Sequence, residues 1–196
     1  MMRIVAMFSL LAILASCAGP KQPVVGSQRV VERSAEKRPE WITVPYFEDN
    51  EIMYFSGGVR GVADYALGLR QAKAEAVKNI AESIAAKVRT EFTQAARGAN
   101  LDEEDIGRFV QDGIAMITDN INIQGMLPAE TYYEKIEQVT DYGVKYFYDC
   151  YALYQLPRKD YELARKRALE DMAKKYREEN NKKAEEAALK LLEKME

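Results

Sequence analysis

Histidine is absent from this chain of 196 residues. Without an imidazole there is no Ser-His or Cys-His nucleophile pair, and zinc is left with few ligand sets. Cysteine is nearly as scarce, with only Cys17 and Cys150, so at most one disulfide is available. Tryptophan occurs once, at Trp41. An excess of charge of one sign is also missing: 28 basic residues face 31 acidic ones, a net −3 that argues against a nucleic-acid partner. The apolar run Ile4–Ala15 falls short of the ~20 residues a membrane span needs. The glycine doublet Gly57-Gly58 lacks a following GxxxxGK[ST], so no phosphate loop is present and the doublet reads as a turn. No set of carboxylates, lysines and tyrosines converges on a catalytic pattern. The chain is therefore read as no enzyme, with no cofactor and no metal.

What is present begins with Leu14-Ala15-Ser16-Cys17, at the end of that apolar run. A short apolar segment, small residues and a cysteine make a lipoprotein signal, with cleavage between Ser16 and Cys17. The Cys17 sulfur then carries a diacylglycerol and its new amino group a third chain such as palmitate. Each buried methylene contributes about 0.8 kcal/mol, so two or three chains give stable anchoring. An ordinary secretory signal with an incidental cysteine is the plainer alternative. Removing Met1–Ser16 from 196 leaves 180 residues, and losing Arg3 takes the charge to −4. Cys150 is then the only free thiol. It lies in an alternating run, as a small core hydrophobe; a disulfide between two copies is the other reading.

Residues 17–38 form the acylated cysteine and a tether. Pro20, Pro23, Gly19, Gly26 and Ser27 with brief pairs such as Val30-Val31 cannot offset ordering entropy. As a coil the segment reaches on the order of 25 Å.

Residues 39–157 carry the expected domain. Trp41, where the polar tether stops, is either a plug against the domain or a ring for stacking a sugar or peptidoglycan strand. Glu51–Ser56 reads as a strand, with Ile52, Tyr54 and Ser56 on one face and Met53 and Phe55 on the other. Over Tyr65–Ala96, Leu69, Ala72, Ala76, Ile80, Ile84, Val88 and Phe92 recur at three or four residues, one face of a helix. Asn100 is placed to cap a second helix over Asp102–Ile121, whose first-turn acids Asp102, Glu103 and Glu104 suit the dipole. Thr131–Val139 and Val144–Leu156 predict a hairpin around Thr140–Gly143. Its second strand has aromatics on both faces, so it is an inner strand or one whose far face meets a partner. Tyr146, Tyr148 and Tyr151 are packing surface or, with Trp41, a candidate glycan or headgroup site.

Residues 158–196 follow Pro157 without a glycine or proline. The stripe Tyr161, Ala164, Ala168, Met172 and Tyr176 covers the sheet, and five acid-before-base pairs at i,i+4 support the helix. One continuous charged helix of about 58 Å is expected, its distal part a coiled coil or solvated strut.

With the lipobox, Pro39-Glu40-Trp41, Tyr54-Phe55-Ser56-Gly57-Gly58 and alanines at Ala63, Ala66, Ala72, Ala76 and Ala81, the chain resembles the Lpp-twenty family of outer-membrane lipoproteins, to which flagellar outer-membrane lipoproteins of the same domain are related. The likeness covers about Pro39–Leu156. It implies a small α+β domain, ordered β-α-α-β-β-α with helices on one face of a short sheet, and an envelope or scaffold role. Only Cys17 transfers, as the acylation site. The expectation is a lipid-anchored protein of the cell outer membrane facing the periplasm, without catalysis and self-associating or joined to other envelope proteins. A peptidoglycan, glycan or lipid-headgroup binding module is the alternative.

Overall fold

A 34-residue helix, α1 (Tyr65–Gly98), runs through the molecule and is buried along its length by two different partners. The computed structural model describes residues 24–99, 101–120 and 123–195, the side chains of 112, 114 and 116–120 excepted. The remaining elements are strands β1 (Gln28–Arg33), β2 (Tyr46–Asp49) and β3 (Ile52–Val62), helix α2 (Glu103–Asn120), strands β4 (Leu127–Thr140) and β5 (Gly143–Pro157), and helices α3 (Arg158–Glu178) and α4 (Lys182–Glu193). The five strands make one antiparallel sheet in the order β1-β4-β5-β3-β2. The class is α+β.

α1 starts where Asp64 accepts the Leu67 N–H at 2.7 Å, an N-cap on the first turn. Its buried stripe of Ala72, Ala76, Ile80, Ile84, Val88 and Phe92 is the one its periodicity predicts, except that Leu69 at its start is only half-buried. The first half lies on the sheet. Gly57 in β3 permits this contact: a Cβ there would sit 2.2 Å from the Ala72 carbonyl oxygen and 2.4 Å from the Ala76 nitrogen. The second half leaves the sheet and enters a helical cluster. There Phe92 and Phe109 flank Tyr176, whose hydroxyl donates to the Phe109 carbonyl at 2.8 Å.

Four expectations need correction. Gly57 and Gly58 do not turn the chain; they lie inside β3, which continues to Val62. The two glycines serve opposite faces, Gly57 toward α1 and Gly58 beneath the Tyr151 ring, where a Cβ would meet Cδ1 at 2.6 Å.

The expectation of an unstructured tether through residue 38 does not hold for its described part. Gln28–Arg33 pairs with Glu134–Gln138 as an edge strand, and because all six of its residues are exposed it leaves no alternating pattern in the sequence. With β1 and β2 added, the order is β-β-β-α-α-β-β-α-α.

The continuous helix over 158–196 is two helices. α3 ends in a Schellman motif: Asn180 takes φ 56°, its N–H reaches the Arg177 carbonyl at 3.0 Å, and the Asn181 N–H reaches the Tyr176 carbonyl at 2.8 Å. Asn181 then caps α4 by accepting the Ala184 N–H at 3.1 Å. α4 folds back, burying Ala184, Ala187, Ala188 and Leu191 in the core. Its apolar positions are thus neither a coiled-coil seam nor a solvated strut. Asn100, expected as the cap of α2, lies outside the described residues; Asp102 accepts the Asp105 N–H at 2.8 Å.

Candidate functional site

The face of the sheet turned away from α1 carries a grouping of polar and aromatic side chains. Cross-strand register brings Tyr132 of β4 beside Tyr151 of β5, which in turn covers Gly58 of β3. The short 3₁₀ turn Glu40–Thr43 lays Trp41 against this pair, with Leu153 completing a second buried cluster. The Trp41 indole N–H donates to Glu130 Oε2 at 2.7 Å. The ring is a plug: both its body and its polar edge are engaged.

Two exposed arginines converge on one phenol. Arg38 Nη2 and Arg60 Nε donate to Tyr151 Oη at 3.0 and 3.2 Å, and the Arg38 guanidinium lies 5.4 Å from the ring centroid. The acidic counterweight is close by. Tyr132 Oη–H donates to Glu134 Oε1 at 2.9 Å, and Asp149 Oδ1 accepts the Gly61 N–H at 2.9 Å, fixing the bulge at which Gly61 takes φ 73°. Burial, reinforced by the Glu134 carboxylate, pushes the Tyr132 hydroxyl above its usual range. The Tyr132 phenol therefore stays a neutral donor at ordinary pH.

Beside this cluster β3 loses its neighbour. β2 covers only Ile52–Phe55; the Ser56 N–H goes to the Pro45 carbonyl at 3.1 Å, and the Ser56 carbonyl accepts Asn79 Nδ2 from α1 at 2.7 Å. Among the described residues, β3 from Gly57 onward has only β5 as a strand neighbour. The resulting cleft, about 410 Å³, is lined by Thr43, Gly58, Arg60, Glu75, Asn79 and Tyr151 among others.

No family model, no curated protein and no solved structure matches this chain.

The residues singled out from the sequence are not one site. Ser16 and Cys17 lie outside the described residues. Tyr146 and Tyr148 project on the α1 side of β5, opposite Tyr151, because strand side chains alternate. There Tyr148 meets Tyr65 and Tyr133, while half-exposed Tyr146 donates to Glu137 at 3.0 Å. Tyr133, donating to Glu32 at 2.6 Å, is pushed up to about 12 mainly by that hydrogen bond. A ladder stacking all three candidate tyrosines with Trp41 on one sugar is geometrically excluded.

Arg38, Arg60 and Asn79 were not apparent as site residues. The Gly58–Tyr151 register that gathers them is a non-local pairing. Cys150 is fully buried against Gly68, and burial pushes its thiol up to about 11. Among the described residues no group of three or more acidic, cysteine or histidine side chains is arranged to hold a metal, no helix is long and apolar enough to cross a membrane, and no buried side-chain nitrogen or oxygen lacks a partner.

Proposed function

We propose that the protein is a non-enzymatic lipoprotein, held through acylated Cys17 in the periplasmic leaflet of an outer membrane and serving a structural or scaffold role. The observation that carries the reading is the segment Leu14-Ala15-Ser16-Cys17 behind a short apolar run. The fold is compatible with a scaffold. Among the described residues every buried side-chain nitrogen and oxygen has a partner, Cys150 is sealed, and the arginines beside the cleft are engaged with a phenol rather than poised on a reacting centre. The Lpp-twenty-like features of residues 39–156 favour the same role. Self-association in the periplasm belongs to this proposal, motivated by the exposed aromatic surface around Tyr146.

Mass spectrometry of the processed N terminus tests it. A peptide beginning at Cys17 with two or three acyl chains is expected, and Cys17→Ala should release the protein from membranes. An unmodified start, or wild-type protein free in the medium, refutes it. Light scattering and cross-linking in cells test self-association; a strict monomer in both removes the scaffold role.

A binding-module reading has one observation of its own, the cleft beside β3. Arg60 and Asn79 border it with donor groups suited to a carboxylate- or phosphate-bearing envelope polymer. Sedimentation with purified sacculi should then be lost on Arg60→Ala, with Lys145→Ala as control. Absence of wild-type retention dismisses it.

A further inference from the structure

The hairpin of β4 and β5 outruns the helical layer. α1 begins at Tyr65, whose ring packs on Tyr133 and Tyr148, and among the described residues no helix covers the hairpin beyond that point. From the pair Lys135–Tyr148 the ladder continues to Thr140–Gly143, five residue steps or about 17 Å of free arm. β1 runs along this arm as its third strand, with Gln28 opposite Gln138. At the arm's end the chain folds onto the hairpin: the Gly26 N–H donates to the Val139 carbonyl at 2.8 Å and the Val139 N–H to the Ser27 carbonyl at 3.0 Å. The described chain therefore starts at the tip of the arm.

The tip is apolar where a soluble hairpin end is normally polar. Tyr142 is 101% exposed and Val24 73%, and Val25 and Val144 are more than half exposed beside them. Asp141 and Lys145 flank them with opposite charges that leave the tip near neutral. Val24 is seven residue steps from Cys17, a span of at most about 25 Å even when fully extended. The arm's tip is thus the part of the described structure tied most closely to the anchoring position.

We propose that the tip, Val24-Val25 together with Tyr142 and Val144, seats in the headgroup–acyl boundary of the membrane that holds the lipid chains. This inference rests on the Cys17 anchor proposed above. A tyrosine places its ring at the boundary and its hydroxyl among the headgroups, and valines enter the outermost acyl region. The acyl chains supply attachment, and the arm supplies a second, orienting contact. The sheet then stands off the surface, and the cleft beside β3 stays open to the periplasm.

The test uses the full acylated chain in mixed phosphatidylethanolamine–phosphatidylglycerol vesicles. An environment-sensitive fluorophore is attached at Tyr142→Cys, and in a second protein at Glu186→Cys on α4. Lipids carrying a nitroxide near the top of the acyl chain are then added. The label at 142 should shift to the blue and lose most of its emission to the nitroxide, while the label at 186 should do neither. Mass analysis of the same preparation reports acylation. An acylated protein whose 142 label is unquenched overturns the tip contact and leaves the anchor standing. An unacylated protein that stays off vesicles overturns both. A blue shift that follows protein concentration without lipid assigns the tip to a second copy and also overturns the proposal.

Discussion

Replacing Gly68 by alanine sets two opposing effects against each other at one contact. A methyl at Gly68 would lie 2.5 Å from Cys150 Sγ and 3.1 Å from Cys150 Cβ. Ordinary contacts are 3.5–4.0 Å, so the overlap with sulfur is about 1 Å. Cys150 is fully buried and central in the sheet, so it has little room to retreat. Overpacking of this kind costs about 1–3 kcal/mol. Against it stands the helix propensity of alanine over glycine, about 1 kcal/mol. Gly68→Ala should therefore destabilise by up to about 2 kcal/mol, although the same change on an exposed helix face would stabilise. Cys150→Ala alone removes a buried sulfur and should cost about 1 kcal/mol through the void it leaves. In the double variant the new methyl occupies the space the sulfur vacates. The pair should return to within about 1 kcal/mol of wild type, a favourable coupling of about 2 kcal/mol. Urea unfolding of a chain beginning at Ala18, compared at constant m-value, measures all four corners of the cycle. Additive single effects, or Gly68→Ala more stable than wild type, would refute the packing of α1 on β5 described here.

Arg165, held between Glu91 at 2.5 Å and Glu162 at 2.7 Å, ties α3 to α1. Arg165→Met leaves two carboxylates without it, and because both are about one-third open the loss should be about 2 kcal/mol, seen as a melting point lower by about 4–8 °C. Asn180→Ala should cost about 1–2 kcal/mol in denaturant titrations because φ 56° disfavours a Cβ, whereas Asn180→Gly should stay within about 0.5 kcal/mol of wild type. A stop after Glu179 removes the buried Leu191 and three buried alanines and should cost about 4 kcal/mol; a truncated chain as stable as the full one would restore the solvated-strut reading. The folded state holds the Cys150 proton more tightly than the unfolded chain, so this thiol's contribution to stability is complete below about pH 8.5 and is lost as pH rises through about 11. Thiol reagents at neutral pH should leave Cys150 unmodified until the protein unfolds.

Legibility in the sequence followed the range of the interactions. α1 announced itself because its stripe faces one continuous buried surface, sheet and then helices, so its 3.6-residue period never breaks. β5 was readable as an inner strand because aromatics alternate onto both faces, and it lies between β4 and β3. β1 was not readable: Gln28–Arg33 is wholly exposed and owes its conformation to a partner more than 100 residues away. Asn180 concealed the end of α3, because asparagine is unremarkable within a helix until its φ becomes positive, and the missing glycine and proline signals pointed to continuity. The same limit applied to the candidate site. Trp41 was identified as a plug or a platform; the hydrogen bond to Glu130 makes it a plug, and Glu130 is 89 residues distant. Arg38 and Arg60 become neighbours only through Tyr151, whose partner Gly58 lay in a doublet read as a turn.

The two sheet edges bear on how copies of this protein meet. An exposed strand edge invites pairing with another chain unless something blocks it. β1 alternates charge along its length, with Arg29 bound to Glu137 and Arg33 beside Glu134. Its register slips between Val30 and Glu32, and the bulge interrupts any straight run of free backbone groups. At the opposite edge, Asn79 occupies the Ser56 carbonyl, and Arg60 stands beside the stretch that β2 leaves uncovered. Strand addition is thereby disfavoured along β1 and along the part of β3 that runs beyond β2. Association on a membrane would use a face instead. The arm offers one: Tyr146 and Tyr148, with the Lys135 ammonium 5.2 and 5.9 Å from their ring centroids, are only partly covered. If the tip is seated in lipid, that face stands perpendicular to the membrane, where two-dimensional confinement raises the encounter rate between neighbouring arms. Cross-links between copies should therefore map to Lys135, on the same face as Tyr146 and Tyr148, and not to β1 or the uncovered end of β3.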